Sequence, residues 1–215
     1  MKFDDQIDYW NKVSKEKEFT TSLDLKLLSD YIKPDSLIVD YGCGYGRTLE
    51  ELYKQGFKNL IGFDFASEMI ERGKLEFPYL NLKTSENNRI DCHSNSVDLV
   101  ILFAVLTCII DNELQRELMS EIKRILKPGG LIYINDFLVN SDDRNLERYN
   151  KFAIKYKTYG VFELPEGAVL RHHEENWIAN LTKDYIKEMY KRIEFKTMNG
   201  NISNGFIFIG RKNKE

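Results

Sequence analysis

Short apolar runs alternate with amphipathic segments along the middle of the chain. The predicted strands lie at 37–39, 59–63, 80–84, 97–106 and 131–137. The segments between them place apolar residues three or four positions apart, which predicts helices. The run at 97–106 is almost continuously apolar, as is typical of a strand that is buried on both faces. This alternation predicts an α/β fold whose parallel strands are joined by right-handed crossovers.

The N-terminal residues show a different pattern. Apolar residues recur every three or four positions within 1–19, which predicts an amphipathic helix among the charged residues there. Hydroxyl residues at 20–22 predict the N-cap of a second helix that runs to about Tyr31. We expect residues 1–33 to form a helical cap over the rest of the fold.

The alternation breaks again after the fifth predicted strand. Residues 138–173 are charged and rich in aromatic side chains, and they contain no clear strand–helix unit. We expect them to form an insertion. A further helix is predicted from about Asn176 to Tyr190. Two strand-like runs at 193–198 and 205–210, separated by a polar turn, then predict a terminal hairpin.

Composition narrows the functional classes. The chain has 215 residues, enough for one α/β domain, and a formal net charge of −3, which argues against a nucleic-acid or membrane partner. Its three cysteines form no C-x-x-C pair, which favours a reducing, cytoplasmic location. The N-terminal segment is acidic and lacks the apolar core of a signal peptide, and no apolar run has the length of a membrane span.

The segment LIVDYGCGYGRTLEELY at 37–53 joins the first predicted strand to a helix through a glycine turn. Its glycines stand at alternate positions, 42, 44 and 46. Glycine permits left-handed backbone conformations and lets a ligand lie directly on the main chain. The dinucleotide fingerprint G-x-G-x-x-G would require its third glycine where this chain has Arg47. The spacing therefore does not favour a nicotinamide site.

Four motifs in a fixed order carry a resemblance to a known family. They are the VDYGCGYG turn, Asp64 at the end of the second predicted strand, the segment ENNRIDCHSNSVDLVILFAVL, and LKPGGLIYIND. Over about 36–137, together with the terminal hairpin, the chain resembles class I S-adenosylmethionine-dependent methyltransferases. The resemblance implies a Rossmann-like, mostly parallel seven-stranded sheet of order 3-2-1-4-5-7-6, with the last strand antiparallel and helices on both faces. It also implies S-adenosyl-L-methionine as the cofactor and a single methyltransferase domain over 1–215.

The resemblance assigns the methionine half of the cofactor to the glycine turn. Gly42 and Gly44 would let this half approach the backbone, and Cys43 and Gly46 would complete the turn. The cationic amine of the cofactor would meet Asp40, directly or through water. A cap on the glycine turn explains Asp40 equally well.

Residues after the second, third and fourth predicted strands are expected to hold the rest of the cofactor. Asp64 would accept both ribose hydroxyls, as an acid does in dinucleotide sites, and Phe65 would face the adenine. Glu86 falls where the family places an acid that accepts the adenine amino group, and Asn87 would offer its backbone N–H to the ring. Phe103 would line the methionine moiety, or it would belong to the core.

Few side chains could act on a methyl acceptor. His172 and His173 are candidates for a base or a substrate ligand, and adjacent strand residues point to opposite sides, so at most one would face the pocket. Alternatively, this segment is a strand-to-helix connector, and its histidines pack in the protein or face water. Asp136 is a candidate substrate contact, but its spacing from the histidines supports no metal site, and we expect none.

The acceptor pocket is expected to come from the variable parts of the chain, the N-terminal helix and the substrate-side insertion at 138–173. Tyr9 and Trp10 could close over the cofactor, and the aromatic residues from Tyr149 to Tyr159 could pack on the sheet or form a lid. We expect transfer to an oxygen or nitrogen of a small molecule. Transfer to RNA, for instance tRNA, and a non-catalytic cofactor-binding scaffold remain as alternatives.

Overall fold

Strands and helices alternate through the middle of the chain, in agreement with the apolar runs. The computed structural model describes residues 6–19, 21, 23–85, 89–196 and 200–214. Within these residues the helices are α1 (Ile7–Val13), α2 (Leu25–Ser29), α3 (Arg47–Lys54), α4 (Ser67–Glu76), α5 (Asn112–Ile125), α6 (Asp143–Tyr156) and α7 (Glu175–Leu181). The strands are β1 (Ile38–Tyr41), β2 (Leu60–Asp64), β3 (Asn81–Thr84), β4 (Val97–Phe103), β5 (Leu126–Phe137), β6 (Val161–Glu163), β7 (Val169–Arg171), β8 (Tyr185–Lys196) and β9 (Ile202–Lys212).

Seven of the described strands form one mixed sheet of order β3-β2-β1-β4-β5-β9-β8. Strands β1 to β5 pair in parallel, whereas β9 is antiparallel to both β5 and β8. Strands β6 and β7 form a separate antiparallel pair. Along the chain, β8 and β9 are the sixth and seventh strands of the large sheet, so the predicted order and the antiparallel last strand are confirmed.

Helices cover both faces of this sheet, so the side chains that alternate along each strand are buried on both sides. On β1, Ile38 packs in a buried cluster with Leu49 of α3, on the same face as α4. The next residue, Val39, packs in a second cluster with Ile122 of α5, on the same face as α7. This two-sided burial accounts for the nearly continuous apolar runs in the sequence.

Strand β1 lies at the point where the strand order reverses. Its neighbours are β2 on one side and β4 on the other. The connection that follows β1 runs to one face of the sheet, and the connection that follows β4 runs to the other face. This opens a crevice at the carboxyl ends of the two strands. The glycine turn follows β1 directly, so the fold positions this turn at the crevice.

The helix predicted over about 176–190 is wrong in its second half. Helix α7 ends at Leu181, and the chain then enters strand β8. Tyr185 and Tyr190 pack against one face of the sheet, and Met189 packs against the other. A strand with apolar side chains on both faces can show the three- or four-residue spacing of a helix. The spacing of apolar residues therefore led to the wrong prediction here.

Strand β4 ends earlier than the predicted run at 97–106. It stops at Phe103, and Ala104 adopts a positive φ of 55°. The chain then forms a 3₁₀ turn at Leu106–Cys108. Val105 and Leu106, which follow the strand, are also buried. Hydrophobicity alone therefore overestimates the length of the strand.

Helix α2 is shorter than predicted and is capped by a different residue. It spans Leu25–Ser29, and the carboxylate of Asp24 accepts a hydrogen bond from the backbone N–H of Leu27 at 3.1 Å. Of the hydroxyl residues predicted to cap it, Thr21 lies several positions upstream, and residues 20 and 22 lie outside the described part of the chain.

The predicted insertion contains regular structure, although the sequence shows no clear strand–helix unit there. Helix α6 is followed by the short pair β6–β7, in which Val161 is opposite Arg171. The carboxylate of Asp142 caps α6 by accepting a hydrogen bond from the backbone N–H of Asn145 at 3.2 Å. Tyr149, Phe152 and Tyr156 recur at helical spacing and lie on α6, whereas Tyr159 lies beyond the helix.

The cap of α5 gives a direct test of this fold. The Asp111 carboxylate accepts hydrogen bonds from the backbone N–H groups of Glu113 at 2.8 Å and Leu114 at 3.0 Å. We expect Asp111→Ala to lower the free energy of unfolding by about 1 kcal/mol, the usual contribution of an N-cap, in urea denaturation. The control is Asp91→Ala, which removes an exposed acid and should change stability less. Equal effects of the two substitutions would contradict the cap.

Candidate active site

A cavity of about 250 Å³ lies at the carboxyl ends of β1, β2 and β4. It occupies the crevice at the reversal of strand order, where ligands bind in open α/β sheets. The structure brings most of the residues predicted from the sequence into its lining. They are Trp10, Asp40, Gly42, Cys43, Gly44, Asp64, Phe65, Phe103 and His172.

The glycine turn forms one wall of this cavity with its backbone. Gly42 and Gly44 have left-handed φ values of 76° and 56°, which side chains with a Cβ rarely adopt. The Gly42 N–H donates to the Phe63 carbonyl at 2.7 Å, which holds the turn against β2. A Cβ at Gly42 would come within 2.6 Å of Val105, and one at Gly44 within 2.9 Å of Phe19. The turn is therefore packed on both sides and leaves main chain exposed to a ligand.

Asp64, the last residue of β2, ties the turn to the next helix. Its two carboxylate oxygens accept hydrogen bonds from the backbone N–H groups of Gly44 and Ala66, each at 2.8 Å. Burial raises the pKa of Asp64 to about 6, although these backbone N–H groups oppose the rise. Each carboxylate oxygen has a further lone pair, so Asp64 can still accept hydroxyl groups from a ligand.

Asp40 lies beside Asp64 and lacks such partners. Both of its carboxylate oxygens are buried, and neither has a hydrogen-bond partner among the described residues. Burial, and next the charge of Asp64, raise the pKa of Asp40 to about 7, while the Arg47 guanidinium lowers it. Arg47 is itself held by Glu51 and by the Thr21 carbonyl. A buried carboxylate without partners is costly, and a cationic group bound in the cavity would stabilise it.

The residues present fit S-adenosylmethionine. The bare turn at Gly42 and Gly44 can accept a ligand against the main chain, and Asp40 offers an unpaired carboxylate for a cationic amine. Asp64 offers acceptor capacity for hydroxyls at the same crevice. Residues 86 and 87, predicted at the adenine, lie outside the described residues. The individual roles of these side chains stay predictions.

Some predicted residues lie outside the cavity lining. Gly46 serves as the N-cap of α3 with φ of 90°. Tyr9 packs edge-on against Trp10, with ring centroids 5.1 Å apart, and only Trp10 reaches the cavity. Asp136 is fully buried behind the lining, where its carboxylate accepts hydrogen bonds from the backbone N–H groups of Phe137 at 2.7 Å and Thr107 at 3.2 Å. These bonds hold the Asp136 carboxylate against the backbone, and its contact with a substrate stays a prediction.

His172 lines the cavity, and a buried hydrogen-bond network holds its ring. Its Nδ1 lies 2.7 Å from the Tyr149 hydroxyl and 3.1 Å from the Asn140 side-chain nitrogen. Since the Asn140 oxygen accepts the Asn204 N–H at 2.8 Å, the amide nitrogen faces His172, and it also donates to the Leu138 carbonyl and the Ser203 hydroxyl, each at 3.0 Å. Burial, and then the nearby charge of Arg148, hold the pKa of His172 well below its usual range. The imidazole is therefore neutral.

His173 points away from the cavity, as alternation along the chain requires. It is completely buried, with Nδ1 3.2 Å from the Phe137 carbonyl and Nε2 2.9 Å from the Gln115 side-chain nitrogen. Burial lowers the pKa of His173 to about 3. Both ring nitrogens serve the packing of the chain, so His173 is not part of the candidate site.

The cavity has a second group of lining residues that the sequence did not reveal. Phe19 and Phe137 contribute aromatic walls, and Arg144 and Arg148 of α6 contribute charge. The two arginines are four positions apart in the sequence, and this spacing could have indicated that they share one face of a helix. Nothing in the sequence indicated that this face would turn toward the cavity.

Thiol chemistry and metal chemistry find little support in this site. Cys43 and Cys108 both line the cavity, but burial raises the pKa of each thiol far above neutrality, so neither is a ready nucleophile. Within the described ranges, no group of three His, Cys, Asp or Glu side chains is placed to hold a metal ion.

Comparison with known proteins decides the family. A family model described as "Methyltransferase domain" matches residues 16–196. The chain belongs to the class I S-adenosylmethionine-dependent methyltransferases. S-adenosyl-L-methionine is therefore its cofactor, as the motifs implied.

A solved structure resembles this methyltransferase over most of its length. It is a SAM-dependent methyltransferase from Methanosarcina mazei, 25% identical, with a TM-score of 0.85. The match covers 91% of this chain and 100% of that chain.

Curated relatives match over shorter stretches. An eEF1A lysine and N-terminal methyltransferase from Bos taurus is 27% identical over 58% of this chain and 20% of its own length. A ribosomal protein L11 methyltransferase from Photorhabdus laumondii is 31% identical over 63% of this chain and 45% of its own length. The methyltransferase thus spans only part of these relatives. In the part of it that is described, no helix is long and apolar enough to cross a membrane.

The unpaired carboxylate of Asp40 predicts a pH-dependent affinity for the cofactor product. A cationic amine binds the ionised carboxylate, so affinity should rise with pH as Asp40 loses its proton, with a midpoint at its pKa of about 7. We expect S-adenosylhomocysteine to bind about tenfold more tightly at pH 8 than at pH 6, as linkage to one such group requires. Isothermal titration calorimetry measures this dependence.

Asp40→Asn should flatten that pH profile because an amide does not titrate. Asp91→Asn, at an exposed acid whose side chain is 84% accessible, is the matched control and should leave the profile unchanged. A profile that keeps its full slope in Asp40→Asn would exclude Asp40 as the amine-binding group.

Proposed function

We propose that this methyltransferase transfers the methyl group of S-adenosylmethionine to an oxygen or nitrogen of a small-molecule acceptor. The observation that carries the proposal is the continuity of the cavity, which extends from the glycine turn at Gly44 to Phe137 and His172. In this proposal the cofactor lies beside the glycine turn, and the acceptor lies beside Phe137 and His172. We further propose that 1–215 form one domain in which 1–33 are the cap and 138–173 the substrate-side insertion.

The walls of the acceptor end support a small ligand. Phe162 of β6 encloses the acceptor end from the insertion. Phe195 of β8 and Ser203 of β9 complete the lining from the terminal hairpin. Trp10 and Phe19 close the cavity nearer the glycine turn, where Phe19 packs on Gly44 and Tyr45. These parts of the chain together enclose the cavity, and such enclosure suits an acceptor that is mostly buried when bound.

The chemistry asks mainly for alignment. S-adenosylmethionine, when bound, supplies a methyl group attached to a sulfonium, and the sulfur is a good leaving group. The chain would contribute the geometry, since holding reactants in line accounts for much of such a rate enhancement. The neutral imidazole of His172 is held by Tyr149 and Asn140. The ring would make a hydrogen bond that orients the acceptor, and its lowered pKa makes a strongly basic role the lesser contribution.

Protein and nucleic-acid acceptors are the alternatives. The names of the bovine and Photorhabdus relatives specify protein acceptors, and a protein would have to insert one side chain into the cavity. For RNA, the lysines at 151, 155 and 157 form a small basic cluster, but Lys155 is paired with Glu163. The net charge of −3 also disfavours a phosphate backbone as partner.

An acceptor panel tests the proposal, with His172 as the reporter. Methyl transfer from labelled S-adenosylmethionine is measured on phenols and amines, on lysine-containing peptides and on tRNA. We expect turnover on members of the first group. His172→Ala should lower kcat/KM on the order of tenfold, the loss of one hydrogen bond to a reactant, while the affinity for S-adenosylhomocysteine stays within about twofold.

His93→Ala is the control for that substitution because His93 is exposed and lies outside the cavity. Thermal unfolding checks that His172→Ala remains folded, since its ring is part of a buried network. Turnover on peptides or tRNA alone would overturn the small-molecule proposal. Full activity of His172→Ala would remove His172 from the site.

A further inference from the structure

Two arginines of α6 face the acceptor end of the cavity. Arg144 and Arg148 are four residues apart, so they share one side of the helix, and both belong to the cavity lining. Lys196 lines the same space. The cavity acids Asp40 and Asp64 lie at the other end, beside the glycine turn. The acceptor end is thus rich in positive charge, although the chain as a whole carries a net charge of −3.

Arg148 has no carboxylate partner within the described residues. Its guanidinium lies over the ring of Phe162, 3.4 Å from the centroid. Its Nε is buried and has no hydrogen-bond partner. Burial, and to a smaller extent the neighbouring charge of Arg144, lower the pKa of Arg148. Arg148 thus interacts with Phe162 and with the side chain of Tyr149, but no carboxylate among the residues described neutralises its charge.

Arg144 is also available for a ligand. Its ion pair is with Asp142, with Nε and Oδ1 3.7 Å apart and both side chains largely exposed, so the pair contributes little. Glu166 is the remaining acid of the acceptor end, and it forms no ion pair with either arginine within the residues described. The two guanidinium groups therefore keep most of their hydrogen-bonding capacity.

Aromatic rings flank these charges. Phe137 stacks on the ring of His172, with centroids 5.3 Å apart and planes at 12°, and Phe162 packs edge-on against the same imidazole at 4.9 Å. Both phenylalanines line the cavity. A ligand in this space would meet apolar rings and the neutral imidazole on its body and the guanidinium groups at its margin.

We propose that the methyl acceptor is an aromatic or otherwise apolar molecule that carries a carboxylate or phosphate group, and that Arg144 and Arg148 bind this anionic group. The proposal rests on the proposed function, because it assigns a substrate class to the acceptor end of the same cavity. Guanidinium groups bind carboxylates and phosphates through paired, charge-assisted hydrogen bonds. The anionic group would fix the orientation of the acceptor, and His172 would then meet a polar group on its body.

Matched pairs of ligands that differ in charge test this assignment. Binding is measured by isothermal titration calorimetry on protein saturated with S-adenosylhomocysteine. The probes are 4-hydroxybenzoate with 4-hydroxybenzamide, and phenyl phosphate with phenol. We expect at least one anion to bind about tenfold or more tightly than its neutral partner, as a desolvated charge pair would give, and its affinity to fall with added salt.

Substitutions then locate the anion. Arg148→Gln should reduce the preference for the anion to less than about threefold, and Arg148→Lys should retain part of it because a charge remains without the planar fork. The matched control is Lys151→Gln, which removes a charge from an exposed position of the same helix. It should leave both affinities unchanged. Thermal unfolding monitors the loss of the contact between Arg148 and Phe162.

The outcomes separate this inference from the proposed function. Equal affinity for anion and neutral partner, no binding of either pair at millimolar concentration, or an unchanged preference in Arg148→Gln would each overturn the anionic acceptor. A variant that loses stability but keeps the preference would show that Arg148 only packs on Phe162, and would overturn it as well. Failure of the proposed function would appear elsewhere, as turnover confined to peptides or tRNA while S-adenosylhomocysteine still binds.

Discussion

Asp40 and Asp64 place two carboxylates next to each other in a buried crevice, and most of the site is arranged around them. Asp64 is stabilised by the backbone N–H groups of Gly44 and Ala66. Asp40 has no such partners among the described residues, and its pKa is raised by burial and by the charge of Asp64. A cationic, hydroxyl-bearing ligand would stabilise both acids together, and S-adenosylmethionine has that chemistry.

The fold supplies this arrangement through its strand order. Strand β1 lies between β2 and β4, so the carboxyl ends of β1 and β2 are neighbours at the crevice. Strand β1 contributes Asp40 there, and β2 contributes Asp64. The parts of the chain outside the common sheet then complete the cavity, with Phe19 from the N-terminal side and Arg148 from α6. The arginines of α6 bring positive charge to the acceptor end, whereas Asp40 and Asp64 lie near the glycine turn together with Arg47.

The sequence predicts best those features that depend on neighbouring residues. The parallel strands, the glycine turn and the position of Asp64 follow from local patterns, and the family assignment confirms the fold and the cofactor they imply. Features that depend on distant pairing were missed or misplaced. Tyr185 to Tyr190 has helical spacing but pairs with β9, and the hydrogen bond that the Thr107 N–H donates to Asp136 was missed. The arginines of α6 gain meaning only when the tertiary fold turns them toward the crevice.

A crystal structure of the protein with S-adenosylhomocysteine tests the central claim most directly. The account predicts that the amine of the ligand contacts Asp40, that its ribose hydroxyls contact Asp64, and that its sulfur faces the end of the cavity lined by Phe137 and His172. A ligand bound away from the glycine turn, or one whose amine and ribose contact neither acid, would contradict the account.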